Sequence, residues 1–153
     1  MASTDFVNIK ISDIAGYHLA IADLAAQLVD QQFTTALSHI SRAATNRILI
    51  LHPICVYQSR GKYLIVAGFR SYQIAVLKLD PDSKVCCRLI SSKREILDIA
   101  KIDILFSPLI FSLSTKVAEQ TKRLVEIVGK DFANEHHSDL ASVRSFTRVH
   151  ERD

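Results

Sequence analysis

Hydrophobic and polar positions change period several times along this chain. Over Phe6–Ile11, Val7, Ile9 and Ile11 alternate with polar neighbours, which is the period of a strand. Asp13 and Gly16 then predict a turn. From Leu19 to about Ala43 the period lengthens. Ile21, Leu24, Leu28, Phe33, Leu37 and Ile40 fall on one helical stripe that no proline interrupts, so a single long helix is expected, with any break at Gln31–Gln32.

Arg47–Gln58 is rich in Ile, Leu and Val with Pro53 inside it, and reads as a strand carrying an edge or bulged segment, because proline cannot donate to a ladder. Ser59–Lys62 is a turn, and Tyr63–Ala67 is a second, almost wholly apolar strand ended by Gly68. Arg70–Leu79 has helical spacing at Tyr72, Ala75, Val76 and Leu79. Asp80–Ser83 ends that helix, and Val85–Ile90 is another strand. Ser92 with Glu95 predicts a capping box before a helix near Lys93, and Ser107–Pro108 a further helix start. Thr115–Phe132 is expected as an amphipathic helix, weakened at Gly129. The polar stretch from Asn134 to Asp153 reads as a frayed tail. Residues 1–133 are therefore expected to form one α+β domain and residues 134–153 a C-terminal tail.

Composition narrows the class. The chain has 153 residues, enough to bury one real core, and only four glycines and three prolines, which favours long regular elements over disorder. The net charge of +3 is mildly basic. Lys84, Arg88, Lys93, Arg94 and Lys101 fall in one region, but Asp80, Asp82, Glu95 and Asp98 are interspersed, so a solvated surface is expected rather than a basic block. Three cysteines, Cys55, Cys86 and Cys87, lack metal-ligand spacing and read as reduced, buried, small apolar residues of a cytoplasmic protein. The most apolar run, Ile102–Leu113, is too short for a membrane span and contains Asp103 and Pro108. No basic segment followed by an apolar stretch opens the chain, so no signal peptide is expected.

Candidate chemistry concentrates where the second strand meets Gly68. Glycine there allows positive φ or close approach of a ligand to the backbone. The helix that follows offers unpaired N–H groups and the positive end of its dipole to an anion. Arg70 adds a charge-assisted contact, and Ser71 and Tyr72 bring hydroxyls. Gly68, Phe69, Arg70, Ser71 and Tyr72 are thus the expected phosphate-binding residues. His52 is expected to be a core or edge histidine, and Asp80 and Asp82 to serve the turn at Pro81. No metal site and no Walker-type, H-E-x-x-H or G-x-S-x-G pattern occurs.

The unit His52-Pro53-Ile54-Cys55-Val56, then Gly61-Lys62-Tyr63-Leu64-Ile65-Val66-Ala67-Gly68-Phe69-Arg70, then Ala75, resembles the N-terminal domain of the ParB/sulfiredoxin superfamily. The resemblance spans about a third of the chain. It implies a mixed sheet with a tight strand–glycine–helix turn, to which the long N-terminal helix and the C-terminal amphipathic helix would be added. It also implies a nucleotide- or phosphate-binding module, with CTP or ATP as the candidate ligand and DNA, a protein partner or a homodimer as its company. Gly68 and Arg70 match the family's motif. Ser71 and Gln73 stand where arginines are common, and the family's downstream Glu-Asn-x-x-Arg element has no counterpart. Sulfiredoxin chemistry is excluded, because position 69 is Phe and no cysteine lies near it in the sequence. Two further readings follow from the same fold: a scaffold or dimerisation protein that has lost its ligand, and a nuclease or small-molecule kinase, for which Asp80, Asp82 and Glu95 are the only carboxylates to hand.

Overall fold

The computed structural model describes residues 5–26, 36–111, 122, 125–127 and 129–137. They form an α+β fold around a five-stranded mixed sheet. The strands are β1 (Phe6–Lys10), β2 (Ile14–Tyr17), β3 (Ile54–Ser59), β4 (Lys62–Ala67) and β5 (Lys84–Leu89), in the order β1-β5-β3-β4-β2. β1 with β5 and β3 with β4 are antiparallel, and β3 with β5 and β2 with β4 are parallel. The alternation in β1 and β5 buries Ile9, Val85 and Cys87 on one side. Ile54, Val56 and Ile65 of the central strands are wholly buried with them.

Two short connections fix this register. At the β3–β4 hairpin both Arg60 and Gly61 have positive φ, 51° and 77°, as a two-residue loop of the primed type requires. After Ala67, Gly68 turns left-handed and the chain enters α3 (Phe69–Lys78). The Asp80–Ser83 turn then delivers it to β5, with Ser83 N–H donating to Asp80 O. These elements lie where the sequence pattern places them.

The predicted helix Leu19–Ala43 is not one element. A 3₁₀ turn at Leu19–Ile21 leads into α1 (Ala22–Ala26), whereas Ala36 is extended, Leu37–His39 is 3₁₀, and Ile40 and Ser41 are extended again before α2 (Arg42–Leu51). Ser41 is the physical cause of the new start. Its Oγ accepts from Ala44 N–H at 3.1 Å, the bond that makes serine a helix N-cap. The predicted strand over Arg47–Gln58 is corrected too. Its first half is the end of α2, and β3 begins only after Pro53, in the centre of the sheet rather than at its edge. A run such as Ile48–Leu51 is apolar on every face, so periodicity alone does not separate strand from helix. Pro53 forces the break: His52, which precedes it, has φ −128° and ψ 73°.

Smaller corrections share this logic. Gly16 lies within the short strand β2, not in a turn. Ser92 makes no side-chain cap bond, and α4 (Ile96–Phe111) follows a 3₁₀ turn at Lys93–Glu95. Ser107–Pro108 starts no helix, since α4 runs through both. Most of the expected helix Thr115–Phe132 lies outside the described residues; of the rest, Lys122 and 125–127 are helical. Gly129, with φ 97°, ends this piece, and Phe132 belongs to a separate helix, α5 (Lys130–His136). The region expected as a frayed tail begins inside α5, and residues 138–153 lie outside the description.

α5 is tied to the start of α2. His137 bridges Ile40, Ser41 N–H donates to His136 O at 2.7 Å, and Ser41 Oγ lies 2.8 Å from His136 Nδ1. Ser41 thus joins two elements at once. Ser41→Ala removes both the cap and the histidine contact, and should lower stability by about 1–2 kcal/mol in urea denaturation. His136→Ala keeps the cap, and should cost about half as much.

Candidate functional site

Strand β4 delivers the backbone to Gly68, which has φ 75° and ψ 37°. A Cβ at this position would lie 2.9 Å from Pro53 O, 3.0 Å from Ile54 Cα and 3.3 Å from Cys55 N. The glycine is needed twice over, for its left-handed backbone and for the contact of its bare Cα with the start of β3. The tight turn expected from the sequence is therefore present, and its first cause is packing.

The predicted phosphate-binding residues meet different fates here. Gly68 N–H donates to Asp103 Oδ2 of α4 at 2.9 Å, so a carboxylate of the protein already sits on that amide. Asp103 Oδ1 accepts from Ser107 Oγ at 2.8 Å, which holds the carboxylate in place. Ser71 Oγ donates to His52 O at 2.6 Å and joins the end of α2 to α3. Phe69 is buried, its ring centroid 6.0 Å from that of Tyr17, and Tyr72 meets the same Tyr17 edge-on at 6.1 Å. Those two aromatic side chains attach α3 to the edge strand β2. Arg70 is half-buried and faces a cleft. Among the described residues, no carboxylate pairs with Arg70 and no protein acceptor takes the N–H of Phe69 or Arg70.

The cleft has a volume of about 570 Å³ and lies between α2, the α3 corner and α4. Ile48, Ile74, Ile99 and Ile102 make most of its apolar wall, and Arg70, Asp103, His52 and Cys55 supply its polar points. This size and a few convergent polar groups are usual for a small-molecule site. Asp103 is the residue that the sequence reading did not assign to the site. Its signal was a lone carboxylate inside the apolar run Ile102–Leu113. Asp80, Asp82 and Glu95 do not line the cleft: Asp80 pairs with Arg42 at 2.7 Å, and the other two are exposed elsewhere. Among the described residues, no group of three His, Cys, Asp or Glu side chains could hold a metal ion.

All three cysteines are free thiols. Burial pushes the Cys55 thiol up to about 11, with the Arg88 guanidinium opposing and the Asp103 carboxylate reinforcing the rise. Cys87 is pushed up to about 12, again by burial first. Neither is a thiolate nucleophile near neutral pH.

In comparison with known proteins, the chain matches no protein-family model and no curated protein.

Gly68→Ala should destabilise the domain by about 3 kcal/mol in chemical denaturation, since strain and backbone overlap both act there. The cysteines give a pH test. A thiol whose folded pKa lies above the ordinary 9.0 leaves stability intact below pH 9, and stability falls as pH rises from there towards about 11, where the unfolded chain alone sheds the proton. Urea midpoints should decline over that window, and Cys55→Ala should make the decline shallower.

Proposed function

We propose that this protein is a nucleotide- or phosphate-binding module of ParB-like type, working with DNA or a protein partner. The observation that carries the reading is the Arg70 side of the cleft. A guanidinium without an ion-pair partner among the described residues stands beside the opening amides of α3, at the mouth of an apolar cavity of nucleotide size. A phosphate would take the amides of Phe69 and Arg70 and the Arg70 side chain, while a base would lie against Ile99 and Ile102. Ser71 adds nothing to the anion in this arrangement, because its hydroxyl donates to His52 O, and Tyr72 is not among the residues that line the cleft.

Asp103 is the constraint on this reading. Its carboxylate lies where the negative ligand would otherwise meet Gly68, and like charges there oppose binding. Calorimetric titration with CTP and ATP tests the proposal: heat is expected for at least one, and Arg70→Ala should weaken it roughly ten- to a hundredfold. Asp103→Asn keeps an oxygen for Gly68 N–H and removes the charge, so it should strengthen nucleotide binding several-fold. Absence of heat with folded wild type and with Asp103→Asn alike would discard the proposal.

A second reading is a scaffold that has lost its ligand. Asp103 on the Gly68 amide favours it, and so does the exposed apolar row Ile102, Leu105, Phe106 and Ile110 along α4. Light scattering over a range of concentrations decides: a strict monomer counts against the scaffold. The nuclease or kinase reading is weaker than both. Asp103, the carboxylate in the cleft, has both oxygens engaged by Gly68 and Ser107.

A further inference from the structure

The register of β1 against β5 gathers charges that are scattered in the sequence. Phe6 lies opposite Arg88, Asn8 opposite Cys86, and Lys10 opposite Lys84. Val7, Ile9, Val85 and Cys87 take the other side, towards the core. One face of the β1–β5 pair is thus Phe6, Asn8, Lys10, Lys84, Cys86 and Arg88: three cations, one aromatic ring and no acid. All of these except the half-buried Cys86 are exposed. Helix α4 packs against β4 and α2 against β5, and Phe6, Asn8, Lys10, Lys84 and Arg88 remain exposed beside them.

The pairing of Lys10 with Lys84 is unfavourable in itself, since like charges directly opposite on a sheet repel. Among the described residues, no carboxylate forms an ion pair with Lys10, Lys84 or Arg88. Such a face is neutralised by a partner that brings negative charge at regular intervals. Lys84 and Arg88 are four residues apart on one face, about 13 Å, with Lys10 beside Lys84, a span that an extended polyphosphate backbone covers in about two phosphate intervals. Phe6, 59% exposed beside Arg88, offers a ring on which a base can stack. A duplex fits less well. β5 is hydrogen-bonded to β3 on its far side, so the β1–β5 pair is not a free ribbon that could enter a groove.

We infer that the exposed β1–β5 face binds single-stranded nucleic acid, with the Lys10–Lys84 pair and Arg88 on phosphates about two intervals apart and Phe6 under a base. This gives the DNA partner of the proposed function a surface that borders the cleft, where Arg88 lies beside Cys55. It does not depend on a nucleotide entering the cleft, so failure here leaves the calorimetric result with CTP and ATP standing.

The test is fluorescence anisotropy with labelled oligo-dT and oligo-U, a matched duplex, and phosphatidylserine vesicles as a competing anionic surface. Single strands should bind, with log K falling against log salt at a slope of about −2 for three phosphate contacts. The double variant K84E/R88E should lose at least roughly tenfold in affinity and flatten that slope. F6A should weaken binding roughly tenfold with the slope unchanged. Circular dichroism and a thermal melt establish that each variant is folded. No binding of single strands at low salt, equal or tighter binding of the duplex, preference for the vesicles, or unaltered affinity in K84E/R88E or F6A would each overturn the inference.

Discussion

The contact between the bare Cα of Gly68 and the backbone of Pro53–Cys55 is the constraint on which this domain turns. It seats the entry of α3 directly on the start of β3, and a methyl group at 2.9 Å from a carbonyl oxygen would push them apart. The bonds around it depend on that closeness. Ser71 reaches the His52 carbonyl, and Asp103 reaches the Gly68 amide only because the corner presents it to α4. Remove the glycine, and the junction of α2, α3, β3 and α4 loses its common point.

That junction also shapes what the cleft can hold. A carboxylate at the N-terminal end of a helix is favourable, for the same electrostatic reason that a phosphate is. In this protein the first claim on that position belongs to Asp103, held from the other side by Ser107. On the proposed reading an external anion would compete with this internal one, and Arg70, which faces the cleft without an ion pair among the described residues, would favour the external one. The apolar walls from α2 and α4 would favour a ligand with an apolar or aromatic body over a bare inorganic ion.

Local signals in the sequence located most of the central unit. Gly61, Gly68 and the Asp80–Ser83 turn each carry their conformation in their own chemistry, so the hairpin, the corner and α3 were legible. The all-apolar run Ile48–Leu51 was not, because its helical state is set by the Ser41 cap and by packing rather than by its own pattern. Nor did the stripe from Leu19 reveal that it serves two elements. At the candidate site, Gly68 and Arg70 were picked out from motif and charge, and both line the cleft. Asp103 was seen only as a charge that spoiled an apolar run, since nothing local tells which amide a carboxylate thirty-five residues away will accept from. The basic face of β1–β5 was invisible for a similar reason: Lys10 and Lys84, far apart in the sequence, become neighbours only through strand register.

The tie between α2 and α5 has a consequence for how the polypeptide is made. Ser41 and its histidine are 95 positions apart, and β1 likewise waits for β5 before its ladder exists. As the chain leaves the ribosome from its N-terminal end, both early segments emerge well before the groups that satisfy them, and closing such long loops is entropically slow. Final assembly is therefore a late event. The apolar residues of β1 wait for β5, whereas α2 finds α3 and β5 sooner, and the interval before β5 emerges is where association with another nascent chain or a chaperone would compete with folding.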